Sequence, residues 1–250
     1  MVVSRCVVEH RAGAIPALSS SNHCGCPNLR LYIVTVAYKS RDASKQASRM
    51  QIDQNWAKIK EGKIIEQQSG VLRQAVVNLA KLNGVSVTES EAEKVVDFVA
   101  EYIEYAPALM MIIEEAAAAT GAEADVQPIL DATEDYFLAP DDIIPDHYGL
   151  VGLLDDAYLT HTLVEAISDR YKSRTGESLL SIDVHETNMF MRRLIGEPFV
   201  GILDEHVSTT LDSLSGEQDI NQLFVVLAQM NLSSVPEFSP QSTWLSDIGS

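Results

Sequence analysis

The chain has 250 residues and a formal net charge of −18, with 46% apolar and 22% charged residues. That is the make-up of an ordinary globular protein with enough chain to bury a sizeable core, and it excludes a disordered or fibrous one. The longest apolar runs, at 31–38 and 107–113, fall far short of the roughly 20 residues that cross a bilayer, so no transmembrane segment is expected.

Charge divides the chain near Met50. Residues 1–49 carry seven basic and two acidic residues, a net of +5, and the remainder carries 11 and 34, a net of −23. A field of that sign repels phosphate backbones and anionic lipid, so nucleic acid is not an expected partner. It favours cations, metal ions and basic proteins. The leader holds all three cysteines, Cys6, Cys24 and Cys26, with His10 and His23. "HCGC" offers soft-metal ligands, but its spacing fits no paired C-x-x-C site. The Ser-rich, Arg-bearing composition also suits a transit peptide, although no clear amphipathic helix accompanies it. The plainer readings take 1–49 as a poorly ordered extension or as an upstream translation ahead of a natural start at Met50, and the helical look of "MQIDQNWAKIKEG" favours the second. One helical domain then covers 50–232, and an irregular tail with Pro236 and Pro240 covers 233–250.

From Met50 onward the periodicity is helical. Ile59, Ile64, Ile65, Val71, Leu72, Val76 and Leu79 recur at helical spacing between about Asp53 and Lys81, with breaks at Gly62 and Gly70 and a stop at Asn83 and Gly84. Thr88 and Glu91 form a capping-box pair ahead of a helix that runs to Pro107, and Pro107 suits the first turn of another that ends at Gly121. A helix is predicted for Val126–Phe137, with Pro128 in its first turn. Others follow over Leu153–Tyr171, around "NMFMRRLI", and at "FVGILDEHVSTTLDSL" and "DINQLFVVLAQM". No useful β-alternation appears after Met50, and the fold class is all-α, an irregular multi-helix bundle.

The stretch "APDDIIPDHYGLVGLLDDAYL", residues 139–159, carries five aspartates among apolar residues and glycines. Pro145 cannot donate a backbone hydrogen bond and disfavours helical backbone at Ile144, while Gly149 and Gly152 permit a sharp change of direction. The expectation is a corner between two helices, with Asp155 and Asp156 in the first turn of the second. On a helical wheel Leu153, Ala157, Leu159, Thr160, Leu163, Val164 and Ile167 form a broad apolar arc, with Asp156 near its middle and Asp155 at its edge. A carboxylate aimed into a core needs a partner.

These residues resemble the YkvA-like proteins, the domain of unknown function 1232. The family shows Pro-x-Asp-x-Ile-Pro-Asp and then Gly-x-x-Asp-Asp on a short helical hairpin. Pro140, Asp142, Ile144, Pro145, Asp146, Gly152, Asp155 and Asp156 match it position by position. The resemblance covers about residues 136–171. His147 and Tyr148 stand where the family has apolar residues, and the region from Gly176 lies outside it. It implies a central hairpin and no settled activity. Many members are membrane-associated, which leaves peripheral membrane association open for this chain.

Two readings of the corner follow. In one, Asp142, Asp146 and Asp156, assisted by Asp155 or His147, bind Mg²⁺, Mn²⁺ or Ca²⁺ through hard oxygen ligands, and the metal activates water for hydrolysis. In the other, Asp142 and Asp146 cap backbone amides while Asp156 pairs with an arginine or another donor, Arg192 and Arg193 being the candidates. His161 and Glu165, at i and i+4, read as a solvated pair, and His185 and His206 as isolated histidines. No Gly-x-Ser-x-Gly elbow or phosphate-binding glycine loop is present, so nucleophilic catalysis has no candidate. The sequence favours a soluble, cytoplasmic interaction or scaffold protein with a protein partner, and a metal-dependent hydrolase is the alternative.

Overall fold

A computed structural model describes residues 43–120, 123–138, 143–176 and 184–213. Among them the chain is all-α: seven helices, a 3-10 turn and no strand. The helices are α1 (Ala43–Ser69), α2 (Val71–Leu82), α3 (Glu89–Thr120), α4 (Glu123–Leu138), α5 (Leu150–Thr175), α6 (His185–Ile195) and α7 (Phe199–Ser213), and the 3-10 turn is Asp146–Tyr148. Residues 1–42, with all three cysteines, Gly121, Asp142, the segment at 219–230 and the tail lie outside the described residues. The last seven residues of the leader, 43–49, belong to α1, which runs unbroken through Met50, so the helical part of the chain does not begin at Met50 as expected.

Local chemistry explains most boundaries. The break between α1 and α2 falls at Gly70, whose φ of 63° places it in the left-handed region that glycine enters without penalty. The buried Glu66 carboxylate accepts the amides of Leu72 and Arg73 at 2.9 and 3.0 Å, satisfying donors that the start of α2 leaves open. Gly62 does not break α1: it is buried inside the helix. The Thr88–Glu91 capping box forms as expected. Glu91 Oε2 accepts the Thr88 amide at 2.7 Å and the Thr88 hydroxyl at 2.6 Å, and these bonds hold the Glu91 carboxyl below its ordinary range.

Pro107 does not start a new helix. It lies inside the 32-residue α3, where it withdraws the donor that the Ile103 carbonyl would receive. Burial offsets that loss, because Tyr102, Ile103, Ala106, Leu109, Met110 and Ile113 around it are all in the core. Likewise α4 begins at Glu123, so Pro128 falls in its second turn rather than its first.

Helix α5 is the centre of the bundle and packs against all six other helices. Ten consecutive residues, Gly152 to His161, are buried, so neighbours cover every side of this part of the helix. An amphipathic wheel assumes a solvent face, and α5 has none over these turns. The distinction between Asp156 at mid-arc and Asp155 at the edge therefore fails: their exposures are 1% and 0%.

Candidate functional site: the acidic corner

The corner joins α4 to α5. Residues Ile143 and Ile144 bend, Pro145 is extended (φ −59°, ψ 136°), and the 3-10 turn closes with the Tyr148 amide on the Pro145 carbonyl at 3.0 Å and the Gly149 amide on the Asp146 carbonyl at 2.9 Å. Gly149 then takes φ 73°, ψ −128°, a conformation that residues with a Cβ avoid. Helix α5 starts at Leu150, so Asp155 and Asp156 fall in its second turn rather than its first. The favourable end of the helix dipole consequently does not account for them.

Three glycines let backbones touch here. A Cβ on Gly152 would lie 2.5 Å from the Pro145 carbonyl oxygen and 2.8 Å from the Asp146 Cα, so the corner rests directly on α5. A Cβ on Gly149 would lie 3.1 Å from the Gly62 carbonyl oxygen of α1, and one on Gly62 would lie 2.7 Å from Leu153 Cδ1. Gly152 of the sequence motif, with Gly149 beside it and Gly62 on α1, thus sets the distance between corner, α1 and α5.

The carboxylates fasten this arrangement. Lys58, on α1, donates to Asp146 Oδ2 at 2.7 Å and to the Phe137 carbonyl at 2.9 Å. One ammonium therefore caps the last turn of α4, where carbonyls lack helical partners, and pairs with the first residue of the 3-10 turn. Asp155 Oδ2 accepts the Ile144 amide at 3.0 Å in a buried bond. The capping role expected of Asp146 thus falls to Asp155, and Asp146 is an ion-pair partner. Asp156 is buried beside it, and its backbone carbonyl accepts the Thr160 hydroxyl at 3.0 Å. His147 and Tyr148 are exposed and lie ring against ring, with centroids 4.3 Å apart.

Arg192, one of the two arginines expected to serve Asp156, is engaged elsewhere. It pairs with Asp204 of α7, and Asp204 also accepts the Tyr158 hydroxyl at 3.0 Å. Asp204 is the main reason the Arg192 guanidinium is held above its ordinary pKa. Among the described residues no three His, Cys, Asp or Glu side chains come together as a metal site, and Asp142 is outside them.

Two histidine expectations are corrected. His161 is buried, not solvated: it stacks on Tyr105 with rings 2° from parallel, and its Nε2 lies 3.0 Å from the Tyr102 carbonyl. Because that carbonyl only accepts, the contact requires a protonated Nε2. The contact is one residue from Ile103, the carbonyl that Pro107 deprives of its donor. Burial lowers the His161 pKa to about 4. Glu165 turns instead to α6, where Oε1 meets His185 Nδ1 at 2.8 Å and Oε2 accepts the Asn188 side-chain amide at 2.6 Å. Asn188 Oδ1 in turn accepts the buried Tyr102 hydroxyl at 2.8 Å. His185 is therefore not isolated, and this chain of bonds ties α6 to α3 and α5.

Fold and site together define a class: an all-helical protein built round one buried helix, whose acidic corner is bonded into its neighbours. Residues 136–161 match the family model described as "Protein of unknown function (DUF1232)". The match runs from the last turn of α4 through the corner to the middle of α5, and it agrees with the resemblance read from the motif. No curated protein and no solved structure matches the chain. Among the described residues no helix is long and apolar enough to cross a membrane.

Proposed function

We propose that the protein is a soluble, cytoplasmic, non-enzymatic interaction or scaffold protein whose acidic corner is a structural joint. One observation carries the reading: the corner carboxylates serve the fold itself, Asp146 through Lys58 and Asp155 through the Ile144 amide. A ligand set needs oxygens free to turn towards a cation, and a carboxylate already bonded to an ammonium 2.7 Å away is a poor start for one.

Thermal melting of the full chain after EDTA treatment, and again with Mg²⁺, Mn²⁺ or Ca²⁺ added, tests it. A ligand that binds only the folded state must raise its stability, by about 2.7 kcal/mol at a hundredfold excess over Kd. The expected outcome is the same melting temperature in every condition. A rise with any one ion, abolished by Asp146→Asn and Asp156→Asn, would replace the structural joint with a divalent-metal site at Asp142, Asp146, His147, Asp155 and Asp156. That site is what a metal-dependent hydrolase would require.

A further inference from the structure

We draw no further inference here: the strongest candidate, the buried carboxylate oxygen of Asp146 at the corner that meets no hydrogen-bond donor among the described residues, belongs to the site already described, where Lys58 already neutralises that carboxylate.

Discussion

At the scale of single residues, burial turns ordinary polar groups into sensitive ones. Asp155 is fully buried and holds the Ile144 amide, so Asp155→Ala leaves a buried donor without its acceptor. That should destabilise by roughly 2–3 kcal/mol. Asp156→Ala should cost a similar amount, roughly 2–4 kcal/mol, because a carboxylate taken out of water persists only with donors or cations facing it. The exposed Asp97→Ala serves as control and should change stability by less than about 0.5 kcal/mol. Urea denaturation of the three variants measures this, and an Asp155→Ala midpoint matching that of Asp97→Ala would show that Ile144 has another acceptor. His161 gives a pH signature. Its pKa is depressed from 6.5 to about 4, mainly by burial, so the unfolded chain binds more protons between those values. Stability from the neutral ring is fully present above about pH 6.5 and is lost as pH falls towards 4, up to about 3 kcal/mol in all. Replacing His161 with Gln should flatten that part of the stability profile relative to wild type. Parallel profiles would mean that the folded protein leaves the ring free to protonate.

At the scale of elements, the corner depends on backbone contact more than on side-chain packing. Gly152→Ala drives a methyl to 2.5 Å from a carbonyl oxygen in rigid backbone, so the corner must separate from α5. A loss of about 3 kcal/mol or more is expected, beyond ordinary overpacking. Gly201→Ala on the exposed side of α7 meets only the flexible end of Glu197 at 3.1 Å, and should be neutral or stabilise by up to about 1 kcal/mol through helix propensity. Thermal melts of the pair test the contrast. Equal effects would show that the close approach at Gly152 is absent in solution. Element reading from sequence did well where signals are local: Thr88 with Glu91, Gly70, and the stop at Asn83 and Gly84 all act as expected. It failed at Pro107 and Pro128, because core packing can hold a helix together across a missing donor.

At the scale of the whole molecule, 36 acidic residues against 18 basic ones leave a formal net charge of −18, so long-range repulsion works against the compact state. The exposed pairs that exist, such as Arg73 with Glu89 at 3.4 Å and Glu93 at 3.5 Å, contribute little individually. Screening should therefore relieve more repulsion than attraction. Raising NaCl from about 20 to about 200 mM, which shortens the Debye length to below about 10 Å, should raise the melting temperature by a few degrees. A fall would mean that the ion pairs, Lys58–Asp146 and Lys63–Glu104 among them, outweigh the net charge. What the sequence determined by itself was the helical class, most helix boundaries and the corner at Pro145 and Gly149, because periodicity, caps and backbone restrictions act over a few residues. The motif also picked out Asp146, Asp155 and Asp156 before any partner was known. Tertiary structure alone decided what they do. Lys58 meets Asp146 from 88 residues away, Glu165 leaves its own helix for His185, and Arg192 takes Asp204, pairings that depend on which helices lie side by side. It also surrounded α5, and once a helix has neighbours on every side, its own apolar stripe no longer says which residues are inside.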